Sequence, residues 1–323
     1  MKAHYAVLYD DTEDLVARLA ALPGRTRPGT VVLACGPGHG SRPAAPFGGH
    51  RVLHRDRVDI HSRPAAAVSA YRRLSAAPNV LVIGEPDAGG SFADWHRAAR
   101  GEAATTLGLD DALTVVCAYP ATAPATLLGH VERTHPWLLT ERGPVRNPHA
   151  VDPVALLSSL TGFLPVPPPD APARLDVVSV SLTDVPAVRR RVTGHLADVP
   201  TLLRTDFGAA VNEVLTNAHQ HGAPPVHLKL WFAHGRLDCR ITDHGPGAPD
   251  PAAGYRHERT GLWLARQACD DLDVWRDDGG FTVRLATTVT AERNRQTAGA
   301  RARAETARLR ATVIARRHAM PFH

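Results

Sequence analysis

Long apolar runs are missing from this chain of 323 residues: after the short stretch that ends at Asp10 and Asp11, none approaches the roughly eighteen residues that cross a bilayer. Secretion and membrane spanning are therefore not expected. Cysteine is scarce, and Cys35, Cys117, Cys239 and Cys269 lie far apart without a CxxC spacing. Three of the four sit in apolar segments, which suits reduced core thiols in a cytoplasmic protein better than bridges or zinc ligands. The 18 His form no HExxH pattern and no Cys/His ligand set, so a structural metal is not expected either. Aromatic residues make up only 5%, yet hydrophobic content is 44%, rich in Ala beside abundant Pro, which describes a folded globular chain and excludes disorder. Lys is nearly replaced by Arg.

A basic body is also lacking. The formal net charge is +5, but residues 291–323 alone carry eight Arg against Glu292 and Glu305, a net of +6. The rest is close to neutral, so direct DNA binding is not expected, and the Arg-rich tail reads as a solvated helix or arm, with contact to an acidic partner as the alternative.

The length fits two domains. A proline run, LPVPPPDAPA at residues 164–173, cannot donate backbone hydrogen bonds and prefers extended geometry, so it reads as a spacer between residues 1–163 and 174–290. Upstream, short β-rich runs at Tyr5 to Leu8, Val31 to Cys35, Val80 to Ile83 and Thr114 to Cys117 alternate with helical stretches at Asp14 to Leu22 and Pro64 to Ser75. That rhythm predicts an α/β domain with a largely parallel sheet. Downstream the order becomes two helices, a β-hairpin, a loop, a helix and a final strand, an α+β pattern.

Within residues 205–222, Phe207, Ala210, Val211, Val214, Leu215 and Ala218 form a stripe at helical period; Thr205 or Asp206 can cap its start and Gly222 its end. Glu213 and Asn217, at i and i+4, line the border of that stripe. A polar amide beside a core needs a partner, either neighbouring backbone or a bound metal and phosphate. Next, Val226, Leu228, Leu230 and Phe232 alternate with polar residues, Ala233 to Arg236 turns the chain, and Leu237, Cys239 and Ile241 alternate back. Asp243 continues the parity of Ile241, so a carboxylate ends on the core-facing side of a strand, followed by the turn-rich His244-Gly245-Pro246-Gly247. A buried acceptor beside a glycine loop, facing a helix with Glu and Asn, predicts a nucleotide pocket.

NEVLTNAHQHG resembles the N box, DHGPG the G1 box and TGLWLARQACD the G2 region of GHKL ATPases, over roughly residues 183–287; the compact anti-sigma-factor serine kinases are the most similar subgroup. No phosphoacceptor His on a dimerising helix stands upstream. The resemblance implies a two-layer α+β sandwich that binds ATP with Mg²⁺. It implies that Asp243 accepts from the adenine amino group, that Asn217 ligates Mg²⁺, and that Glu213 orients and deprotonates a partner serine. Gly245, Gly247, Gly261 and Leu262 would form the phosphate side. Arg259 stands where the G2 region has glycine, and Phe281 where a second adenine contact has Thr, leaving Thr282 to supply that contact. The implied partners are a sigma factor and an anti-sigma-factor antagonist.

At the N-terminus, His4, Ile83-Gly84-Glu85-Pro86, Thr114 to Pro120 (TVVCAYP) and Arg133-Thr134-His135-Pro136 resemble the MEDS sensory domain, which implies a degenerate RecA-like fold and a small-molecule signal. Gly36 to Ser41 follows a β-run as a phosphate loop does, but it lacks the Lys of such a loop. Cys117 reads as a buried thiol. The leading expectation is an ATP-dependent serine/threonine kinase regulating an anti-sigma-factor antagonist. A non-catalytic nucleotide-gated binding module and an orphan sensor histidine kinase are the alternatives, and a homodimer is compatible with each.

Overall fold

The computed structural model describes residues 3–23, 29–35, 37–54, 68, 71, 74, 79–86, 92–109, 113–160, 166–247, 252, 255 and 261–289. They build two sheets.

The first sheet holds β1 (Ala3–Tyr9), β2 (Thr30–Ala34), β3 (Arg51–His54), β4 (Val80–Gly84), β5 (Leu113–Pro120), β6 (Trp137–Thr140) and β7 (Gly143–Arg146), ordered β3-β2-β4-β5-β1-β6-β7. Every pair is parallel except β6 with β7. Such a sheet needs cover on both faces, hence the near-continuous apolar strands. One face carries α1 (Thr12–Ala20), whose Leu15 and Leu19 meet Val7, Val31, Ile83 and Val116. Asp11 starts α1 by accepting from the Glu13 and Asp14 amides. The opposite face carries α2 (Phe92–Gly108) and α3 (Ala125–Thr134), with Leu127 and Val131 against Ala6, Val115, Cys117 and Tyr119. A further helix, α4 (Pro153–Leu160), packs on α2.

The expected α/β rhythm is present, and its four strands were placed within two or three residues of their ends. β3 and the β6–β7 hairpin carry no alternation strong enough to read. Most of the expected helix from Pro64 to Ser75 lies outside the described residues. After β2, Pro37–His39 and Arg42–Ala44 are isolated single turns. Without a helix there, the Gly36 to Ser41 stretch lacks the aligned amides of a phosphate loop, and Gly36 itself is outside the described residues.

The second sheet is antiparallel throughout: β8 (Leu175–Val180), β9 (Val226–Ala233), β10 (Arg236–Asp243), β11 (Asp271–Asp277) and β12 (Gly280–Thr288), ordered β11-β12-β10-β9-β8. On one face lie α5 (Val185–Gly194), α6 (Thr201–His221) and α7 (Gly261–Ala268), which share a core of Val188, Phe207, Val211, Leu215, Leu228, Cys239, Ile241 and Leu285 with it. This is the expected two-layer α+β sandwich. β8 and the pairing of β11 with β12 are additions, because a short bulged edge strand and a charged hairpin show little alternation. The helix α6 starts at Thr201, not at Thr205 or Asp206, since Leu203 extends the buried stripe by one turn. Between β9 and β10, His234 and Gly235 both take left-handed backbone, as a two-residue hairpin turn requires. Part of the proline spacer is held in place: the Arg240 guanidinium donates to the Val166 and Pro167 carbonyls, each at 2.7 Å.

The two sheets meet through α2. Arg97 Nε lies 2.8 Å from Asp271 Oδ1, and Arg100 Nη1 lies 2.7 Å from Asp273 Oδ1. Asp271, on β11, also pairs with Arg236, and Asp273 pairs with Arg284 at 2.7 Å. Burial opposes ionisation of Asp271, yet the Arg97 hydrogen bond and the charges of Arg97, Arg100 and Arg236 bring its carboxyl down from 3.8 to about 2. A depressed carboxyl contributes stability that is complete above the unfolded value and is lost as pH falls through the folded one. Between pH 4 and 2, unfolding measured with denaturant should therefore lose about 2 kcal/mol that Asp271→Asn does not lose. Parallel curves for the two proteins across that window would overturn the assignment.

Candidate functional site

Helix α6 sets the site. Glu213 and Asn217 stand one above the other on it, both half-buried, and among the described residues neither side chain has a hydrogen-bond or ion-pair partner. The helix ends at Gly222, whose φ of −94° is open to any residue. Glycine is needed there for another reason: a Cβ would overlap the Asp243 carboxyl and the Ala218 carbonyl. The end of the helix thus lies directly on the end of β10. At its other side, the start of α7 lies on Glu213, because a Cβ on Gly261 would overlap the Glu213 carboxylate. From residue 213 to residue 222 is about 13 Å of helix rise, and Asn217 stands between its two ends.

Asp243 is 4% exposed, as the strand parity requires. Its Oδ1 accepts from the Gly245 amide at 2.7 Å and from the Ala223 amide at 3.4 Å. Among the described residues Oδ2 has no hydrogen bond. A buried carboxylate with one oxygen satisfied and the other open is a ready acceptor for a ligand N–H. The glycine loop is packed as tightly. Gly245 sits on the Gly222 backbone, where a Cβ would overlap it, and its carbonyl accepts from Arg276. Gly247 lies on the Phe281 ring.

Antiparallel pairing of β10 with β12 puts Phe281 opposite Asp243 and Thr282 opposite Thr242. Cross-strand partners share a face. Phe281 therefore faces the helices beside Asp243, whereas Thr282 faces away, its hydroxyl 2.9 Å from that of Thr242. Thr282 is corrected out of the site: the one-residue offset that places it beside Phe281 turns it to the opposite face. Leu262 packs half-buried against the core under α7. Arg259 is outside the described residues.

Sequence reasoning missed Gly222 and Arg276. The first was read only as a helix end, and the second carries no local signal. It also missed Tyr255, in the segment between Gly247 and Gly261. Tyr255 is 2% exposed and packs with Ala99, Ala103, Leu156 and Leu157 of α2 and α4. Arg266 on α7 lies over its ring and donates to its hydroxyl at 2.9 Å. Tyr255 thereby ties α7 to helices of the first sheet.

No helix of the described residues is long and apolar enough to cross a membrane. No curated protein matches the chain. Glu213, Asn217, Asp243, Gly245, Gly247 and Gly261 all fall within residues 178–287, the stretch that matches the histidine kinase-like ATPase domain family.

Proposed function

We propose that residues 174–290 bind ATP along α6 and transfer its terminal phosphoryl group to a serine or threonine of an anti-sigma-factor antagonist. Residues 1–163 are then a MEDS-like sensory domain acting on them in the cytoplasm, and the sigma factor is a second partner. The observation that carries this reading is Asp243, a buried carboxylate whose Oδ2 is open at the end of the helix that bears Asn217 and Glu213. Adenine presents an amino donor to Oδ2, whereas guanine presents a carbonyl there, so ATP is favoured over GTP.

The residues fit Mg²⁺ as well as the nucleotide. Asn217 offers a hard oxygen with no competing partner among the described residues, and it is the residue that would hold the ion. Bound Mg²⁺ would supply neutralisation of phosphate charge. The chain's own residues place the reactants: the start of α7 brings Gly261 beside Glu213, and Glu213 receives the serine hydroxyl. A carboxylate is a weak base, but phosphoryl transfer through a loose transition state depends on positioning and charge more than on base strength. Tyr255 supports control by the sensory domain, because it joins α2 to Arg266 of α7, the helix whose start lies on Glu213.

Incubation with labelled ATP, Mg²⁺ and a candidate antagonist tests the reading. Acid-stable label on the antagonist is expected. ATP binding without transfer would replace the kinase by a nucleotide-gated binding module, a reading that Phe281 on the glycine loop favours. Acid-labile label on the chain itself would indicate a histidine kinase.

A further inference from the structure

On the far side of α2 from its arginines, four side chains from four elements converge under the first sheet: His4 of β1, Glu102 of α2, Cys117 of β5 and His135 at the end of α3. Each offers one ligand atom, all four residues are buried, and the four atoms lie within 4.8 Å of one another. His4 Nε2 is 3.1 Å from Glu102 Oε2 and 3.4 Å from Cys117 Sγ. Cys117 Sγ and His135 Nε2 are each 3.5 Å from the same Glu102 oxygen. Nitrogen, oxygen and sulfur ligands held tetrahedrally at zinc bond lengths are about 3.3 to 3.6 Å apart. Three of these four edges, at 3.4 to 3.5 Å, have that size, and the His4–Glu102 edge is slightly shorter.

The hydrogen bonds behind the ligands decide which atoms face inward. The Thr106 hydroxyl donates its single proton to the Glu102 or the Thr134 carbonyl, at 3.1 and 3.2 Å. It must therefore accept from His4 Nδ1, 2.6 Å away. His135 Nδ1 lies 3.0 Å from the Val131 carbonyl and must donate to it. Both rings thus carry their proton on Nδ1 and, when neutral, turn a lone pair on Nε2 toward the Glu102 carboxylate. Tyr119 donates to the other carboxylate oxygen at 2.8 Å, and the fully buried His135 Nε2 has no partner among the described residues apart from the 3.5 Å approach to Glu102. With both rings neutral, lone pairs are aimed at one another inside a core, a repulsion that either a proton on a ring or a bound metal ion relieves.

We propose that His4, Glu102, Cys117 and His135 bind one divalent transition-metal ion of the zinc class through Nε2, Oε2, Sγ and Nε2. A thiolate and a carboxylate carry two negative charges, which one divalent ion neutralises. Backbone and Thr106 contacts to Nδ1 orient the rings as the outer partners of metal-bound His do. Four protein ligands leave no open position, so the site is structural or sensory and does no chemistry on a substrate.

Metal analysis of the purified full chain should give close to one zinc per chain. After chelation, Co²⁺ alone should restore one equivalent with visible bands of a four-coordinate ion and a thiolate-to-cobalt charge-transfer band. Cys117→Ser should lose that band. Thr106→Val, which keeps shape and removes the His4 contact, should bind Co²⁺ about 10- to 100-fold more weakly with the band kept. Should Cys117→Ser fail to fold, the wild-type spectrum and Thr106→Val decide. A wild-type protein with a cooperative unfolding transition that takes up no Co²⁺, or takes it up without the charge-transfer band, would falsify the site; so would a band that survives Cys117→Ser, or unchanged affinity in Thr106→Val.

Discussion

Glu213→Gln should leave ATP affinity unchanged while phosphoryl transfer to the antagonist falls by about 10²- to 10⁴-fold, the range by which a positioned base contributes. The substitution keeps shape and, since Glu213 has no partner among the described residues, should change stability by no more than about 0.5 kcal/mol. The loss would then belong to the chemical step. The amide can still hold the substrate hydroxyl but cannot take its proton, so kcat should drop more than KM rises. Single-turnover transfer with labelled ATP, beside a calorimetric titration of the same protein, separates the two. Equal transfer by both proteins would leave the binding-module reading in place.

Asp243→Asn carries the second large effect. The amide oxygen can keep the bonds from the Gly245 and Ala223 amides, but the amide nitrogen then occupies the place of Oδ2. A donor would face the adenine amino donor. Loss of a hydrogen bond to a charged acceptor costs about 1.5 to 3 kcal/mol, so ATP should bind roughly 10- to 150-fold more weakly. GTP, which presents an acceptor at that point, should lose less or gain, and the ratio of the two affinities is the sharper readout. Calorimetry with both nucleotides measures it. An unaltered ATP to GTP ratio would remove Asp243 from purine recognition.

The positions of Glu213, Asn217 and Asp243 were legible without coordinates because each follows from a local period. Residues at i and i+4 share a helix line, and alternate residues share a strand face, whatever the chain does elsewhere. Glycine at 222 was legible as an end, but its role was not, because the Asp243 carboxyl that fills the space of a side chain comes from a strand reached only after a hairpin. Thr282 was misplaced for a related reason: its face depends on how β12 registers on β10, and no residue near Thr282 encodes that register.

The four converging ligands are the extreme case. His4, Cys117 and His135 each belong to stretches that resemble a sensory domain, yet their spacing matches no ligand pattern, and Glu102 stood out in none of them. Their meeting depends on β1 inserting beside β5 and on α2 crossing that face. Tyr255 was hidden in the same way, since its own partners lie on α2 and α4.

By itself the order of residues determined the two kinds of layer, the helix and hairpin of the proposed nucleotide site, and which side chains face inward along each, since these depend on backbone geometry over a few residues. Tertiary structure alone decided strand order, the face of Thr282, the anchoring of Tyr255 and the gathering of His4, Glu102, Cys117 and His135. Those contacts join residues far apart in the chain, and only packing of the finished sheets brings them within bonding distance.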